Sequence, residues 1–79
     1  MISGLDVLTQ YDTNFKWFFE NFSTIKKEYK DIYVAVNNKQ IVDTDKDIQK
    51  LYNKLEHKGI PLDTTFVRFV PKTDIIAIL

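Results

Sequence analysis

The sequence predicts an α+β fold: a two-layer sandwich with two helices on one face of a four-stranded mixed sheet, in the order α-β-β-α-β-β. Three observations carry this. An aromatic stripe at helical spacing fills the first third of the chain, two blocks of β-branched and aromatic residues each carry a turn signal, and an amphipathic segment separates the blocks. With 79 residues the chain reads as a single domain over 1–79. A chain of this size buries only about 60% of the surface its unfolded form exposes, so its core is small.

The first helix follows from Leu8, Tyr11, Phe15, Phe18, Phe19, Phe22, Ile25 and Tyr29, which recur at steps of three and four and so fall on one stripe. A continuous helix from Gly4 to Lys30 would be about 40 Å long, against strands of about 17 Å. One short sheet cannot cover that stripe. A break or bend is therefore expected near Asn21, with residues 1–11 a loosely held or partner-engaged arm. Ile32-Tyr33-Val34-Ala35-Val36, the turn pair Asn37-Asn38 and Gln40-Ile41-Val42 form a hairpin. Ile48, Leu51, Tyr52 and Leu55 give the second helix, closed by Gly59 with Pro61 beyond it. Phe66–Val70, a turn at 71–74, and Ile75–Leu79 make a second hairpin. The first and last strands are the most continuously apolar, which places them side by side in the centre.

If Ile32, Val34 and Val36 face the helices, Tyr33 and Ala35 face away, and the last strand is apolar on both sides. Half of that surface would be wet in a monomer. Large exposed apolar patches mark interaction sites, so Tyr33, Ala35, Ile76 and Ile78 are the expected interface, for a homodimer or a protein partner on an open sheet face. Trp17 lies nearly opposite Phe15 and Phe22 on the helix and is either an exposed anchor for a partner or, where the helix bends or the indole folds over a neighbour, an ordinary packed aromatic.

The composition excludes several function classes. Eleven basic residues balance eleven acidic ones, so no net field gathers nucleic acid or anionic lipid. The absence of cysteine removes disulfides and thiolate chemistry and fits a cytoplasmic protein. The amino terminus has no secretory pattern, and no apolar run approaches the ~20 residues of a membrane span. With Gly4 and Gly59 the only glycines, a glycine-rich phosphate loop is ruled out, and His57 is the single histidine. No catalytic residue, cofactor or metal site is expected. The match of Asn21-Phe22-Ser23 to a glycosylation sequon is idle without a secretory route.

Asp43-Thr44-Asp45-Lys46-Asp47 is the most site-like stretch. A calcium loop of the EF-hand type needs glycine at position 6 and glutamate at position 12, where this chain has Ile48 and Lys54. The residues instead read as a helix start, Thr44 and Asp47 as a capping box and the aspartates at the positive end of the helix dipole. Lys46, Lys50, Lys54 and Lys58 fall four apart on the second helix, a ridge that would contact nucleic acid only as an alternative to a solvated face. Arg68 interrupts an apolar strand and is expected to pair with a carboxylate such as Asp31 or Asp74.

Tyr29, Tyr33-Val34-Ala35-Val36, Ile41-Val42-Asp43, Asp47-Ile48, Leu51, Leu55, Lys58-Gly59-Ile60 and Phe69-Val70-Pro71-Lys72 resemble, in order and spacing, a family of small prokaryotic domains, best represented in archaea, classed as a domain of unknown function. The resemblance implies an autonomous small α+β domain and transfers no activity. Its members carry glycine before the first strand and in the hairpin turn, where this chain has Lys30-Asp31 and Asn37-Asn38. The sequence does not name its function. The expected class is a small non-enzymatic protein-interaction module, an adaptor or regulatory subunit that self-associates. The alternative is a nucleic-acid-binding regulator using the lysine ridge with Lys26, Lys27 and Lys30.

Overall fold

The computed structural model describes residues 4–72. Helix α1 (Gly4–Glu20) is followed by α2 (Phe22–Glu28), strands β1 (Ile32–Asn37) and β2 (Gln40–Asp45), helix α3 (Ile48–His57) and strand β3 (Phe66–Val70). Among the described residues the sheet has three strands in the order β2-β1-β3, with β1 antiparallel to both neighbours. The expected four-stranded mixed sheet with two helices is therefore corrected, among the described residues, to three helices and an antiparallel three-stranded sheet. The expected strand at 75–79, and with it Ile76 and Ile78, lies outside the described residues.

The first helical stripe divides at Asn21. Both the backbone N–H and the side-chain amide of Asn21 donate to the Trp17 carbonyl, at 3.0 and 2.9 Å. Asn21 itself sits at φ −108°, ψ 12°, outside helical geometry. A polar side chain that competes for its own helix's carbonyls bends or ends the helix. The bend lets Phe18 and Ile25 reach the same core, where they pack with Val34, Val36, Phe66 and Val70.

Both faces of β1 are covered. Val34 and Val36 meet the α1/α2 layer, whereas Ala35 packs against Leu51 and Leu55 of α3, with Tyr33, Val42, Tyr52, Ile60 and Val67 around them. Val34, Ala35 and Val36 are each 0% exposed. The alternation expected of β1 holds, but the face expected to be open carries α3. The reason is topological: β2 and β3 flank β1, so the connection between them must cross a sheet face, and α1 and α2 already fill the other.

Short-range chemistry fixes the corners. The β1–β2 turn is Asn38-Lys39, with φ 52° and 57°, the left-handed pair of a two-residue hairpin loop. Asn37, expected in the turn, is instead the buried last residue of β1. Asp31 also takes a left-handed conformation, φ 58°, just before β1. The positions where related sequences are expected to carry glycine thus border or adopt backbone that favours it. At the end of α3, Gly59 has φ 73°, its N–H donates to Glu56 O and that of Ile60 to Leu55 O, both at 3.0 Å. This pattern is a Schellman cap, completed by Ile60 packing on the Leu55 cluster.

A buried polar staple, not visible as a sequence pattern, ties α1 to the hairpin and to the loop before β3. The Asn14 side-chain amide donates to Thr64 O at 2.7 Å while its Oδ1 accepts from the Lys39 N–H at 3.2 Å. Asn37 Nδ2 donates to the hydroxyls of Thr65 and Thr64 at 2.9 and 3.3 Å. The Thr65 hydroxyl in turn donates to Pro61 O at 2.6 Å. Each member satisfies another's desolvated group, which makes the set costly to break.

The covered second face gives a direct prediction. Ala35→Leu overpacks the contact with Leu51 and Leu55 and lowers stability by about 1–3 kcal/mol, read from denaturant unfolding. On an open sheet face the same change would stay within about 0.5 kcal/mol.

Candidate functional site

Two places on the described surface concentrate chemistry: the acid–lysine cluster between β2 and α3, and the aromatic outer side of α1.

The cluster exists because of a bulge. β1 pairs Ala35 with Asp43 but Val36 with Ile41, so β2 has one extra residue at Val42. Without it, Ile41 and Asp43 would share a face. With it, Ile41 packs into the α1/α2 core, while Val42 joins the α3 cluster and Asp43 turns toward α3. Asp45, opposite Tyr33, follows on the same face.

Lys54 then lies 3.2 Å from carboxylate oxygens of both Asp43 and Asp45, and Lys58 lies 2.9 Å from Asp43 Oδ2. That buried oxygen meets Lys58 as an ion pair without an aligned hydrogen bond. Lys54 also donates to the Thr44 carbonyl, and Lys58 to Val42 O at 3.4 Å. The Asp43 side chain is only 13% exposed. Burial pushes its pKa up, but the Lys58 ammonium, the Thr44 N–H and the Lys54 ammonium outweigh it and hold the carboxyl below its ordinary value. Asp45 is also lowered, chiefly by the Asp47 N–H and then by Lys54. Lys54 is raised, first by Asp45 and, against a desolvation cost, by Asp43.

Asp47 is the N-cap of α3, its Oδ1 accepting from Gln49 N at 2.9 Å and Lys50 N at 3.3 Å. The capping role expected of Thr44 therefore belongs to Asp47. β2 runs on to Asp45 because Asp43 and Asp45 find cations on α3, and Thr44 pairs with Val34 in the sheet. Asp43 and Asp45 thus hold Lys54 while Asp47 caps α3, and among the described residues no three His, Cys, Asp or Glu side chains converge as metal ligands.

This geometry divides the lysine ridge. Lys54 and Lys58 are turned back onto Asp43 and Asp45, while Lys46 and Lys50 are exposed on the outer side. A shallow groove there is lined by Asp45, Lys50, Asn53, Lys54, His57 and Lys58. Two carboxylates within a short lysine row cancel most of the field that would draw a phosphate chain.

Of the residues expected at an interface, the described ones, Trp17, Tyr33 and Ala35, do not form one exposed patch. Trp17 is half-buried and packs against the α1/α2 core instead of standing out as an anchor. Ala35 is fully buried beneath α3. Tyr33 is half-buried, its ring 5.0 Å from that of Phe69 across the β1–β3 pair.

Ile48, Leu62 and Phe69 are exposed singly, and among the described residues the longest run of exposed apolar side chains lies on α1. Leu8, Tyr11, Phe15 and Phe19 are 68, 41, 40 and 44% exposed. From Tyr11 to Phe19 the strip is continuous: Phe15 and Phe19 rings are 5.0 Å apart, and Tyr11, Phe15 and Phe19 each touch the buried Phe66 ring. Arg68, on the same sheet face as Phe66, lays its guanidinium 5.5 Å over the Phe19 ring. The expected carboxylate partner is replaced by an aromatic face. The sequence reading, that one short sheet cannot cover the whole stripe, is met here: Phe18 is buried, whereas Leu8, Tyr11, Phe15 and Phe19 stay partly in solvent.

The cluster's pH dependence has a definite sign. Because Asp43 and Asp45 titrate below their ordinary range, their contribution is present above about pH 4 and lost as pH falls through the lowered folded values. Asp43→Asn should destabilise the protein at neutral pH by about 1–2 kcal/mol and make its loss of stability below pH 4 shallower, measured by thermal unfolding across a pH series. An unchanged acid slope would show that the carboxylate is not paired.

Among the described residues no helix is long and apolar enough to cross a membrane. No curated protein and no solved structure matches the chain. Residues 24–73, which include most of α2, the sheet and α3, match a family of unknown function. This match spans more than half of the chain, and the protein belongs to that family, DUF5678.

Proposed function

We propose that the protein is a small non-enzymatic interaction module, an adaptor or regulatory subunit, that associates with a second copy of itself through the outer side of α1. The observation that carries this reading is the strip of Leu8, Tyr11, Phe15 and Phe19. Four large apolar side chains exposed on successive turns of one helix form the kind of surface that marks a protein–protein contact. Aromatic side chains give such a surface much contact area at low entropic cost. A 79-residue chain without disulfides also gains the most from burying further apolar area against another chain.

The acid–lysine cluster supports the non-enzymatic part of the reading. Its charged groups are engaged in holding β2 to α3, with the best-buried carboxylate closed off by two ammonium groups. A site poised for proton transfer needs a group whose partner leaves it room to react.

Sedimentation analysis from micromolar to millimolar protein tests the reading. The wild type should pass from monomer to dimer with concentration, and Leu8→Glu/Phe15→Glu should remain monomeric with its fold intact by circular dichroism. A wild type that stays monomeric throughout would overturn it.

A further inference from the structure

Resting on that reading, we infer that the two copies pair their α1 helices antiparallel about a two-fold axis near the middle of the strip, with Asp12 of each copy meeting Lys16 of the other. Three features of α1 carry this arrangement.

The first is the shape of the strip. Leu8, Tyr11 and Phe19 all lie within about 40° of Phe15 round the helix axis, so the apolar surface is a narrow seam. Antiparallel pairing sets the small Leu8 end of one seam against the large Phe19 end of the other and Tyr11 against Phe15. Parallel pairing would set ring on equal ring at every level.

The second is the placement of charge. Asp12 and Lys16 lie about 60° and 100° from Phe15 on the same flank, while Asp6 and Glu20 lie about 180° and 140° away. A two-fold axis perpendicular to antiparallel helices brings like flank to like flank, so Asp12 and Lys16 exchange partners reciprocally and the remaining acids stay outside. Within one chain the two side chains already form an ion pair at 2.9 Å, with side chains 56 and 67% exposed. Both therefore reach outward beside the seam, where the Lys16 ammonium keeps its proton more tightly because of Asp12. Parallel pairing about an axis along the helices would hold the two copies of Asp12 at one level and those of Lys16 at another.

The third is Arg68. Seated over Phe19, it lies beside the Leu8 end of the partner helix in the antiparallel arrangement. Its counterpart is eleven helical steps along, about 16 Å, so the two guanidinium groups do not oppose one another.

Exposed ion pairs of this kind set orientation more than strength. The test is a charge-exchange series read by sedimentation equilibrium at low ionic strength. Asp12→Lys should weaken dimerisation roughly tenfold, by setting lysine against Lys16 in both reciprocal contacts. Asp12→Lys/Lys16→Asp should return it to within about threefold of wild type, and Glu56→Lys, exposed on α3, should leave it unchanged. Dimerisation of equal strength in all three variants would overturn the antiparallel arrangement while leaving self-association in place. A monomeric wild type would remove both. Circular dichroism of each variant keeps loss of helix distinct from loss of association.

Discussion

The structure depends on the burial of β1 on both faces. A strand with Val34, Ala35 and Val36 all inaccessible cannot stand at the outside of a two-layer sandwich. It needs a helix layer on either side, and the chain supplies α1 with α2 on one and α3 on the other. At roughly 25 cal/mol per Å² of apolar surface, covering Tyr33, Ala35 and Val67 favours this arrangement over leaving them wet. Once α3 occupies that face, Phe69 at the edge is the one large apolar side chain of the described sheet that stays exposed, and the longest run of exposed apolar side chains lies elsewhere. It is on the side of α1 that the narrow sheet does not reach.

The bulge at Val42 is the device that makes the second layer hold. It sends Ile41 to one core and Asp43 to the other, where Lys54 and Lys58 of α3 close on it. An aspartate facing a helix layer without cations would be costly to bury. Placed opposite two lysines on consecutive turns, it fixes how α3 lies along β2. The groups that look most like a reacting site are thus the ones that orient a helix.

Much of this was legible in the sequence. The periodicity of Leu51 and Leu55, the Gly59 cap, the break at Asn21 and the alternation of Ile32, Val34 and Val36 all follow from local rules that the fold obeys. The layer arrangement was not legible, because periodicity tells which residues of a strand share a face but not what covers that face. The bulge was hidden for a related reason: Gln40-Ile41-Val42-Asp43 reads equally well in either register until Lys54 is known to lie opposite. Asn14, Asn37, Thr64 and Thr65 escaped notice because a buried amide–hydroxyl network joins residues up to 50 apart and leaves no local pattern. Trp17 lies away from the stripe on the helical wheel, which left an exposed anchor and a folded-over indole both open; it packs half-buried against the α1/α2 core.

What the fold implies for function is a division of surfaces. The β2–α3 side is closed by its own ion pairs, and the outer side of α1 is left apolar, aromatic and flanked by one acid–base pair. The most direct test of this division is a dilution series of amide NMR spectra on the full chain. The account predicts that resonances from Leu8 to Phe19 and at Arg68 shift with concentration while those of α3 stay still. Shifts confined to α3, or none at any concentration, would contradict it.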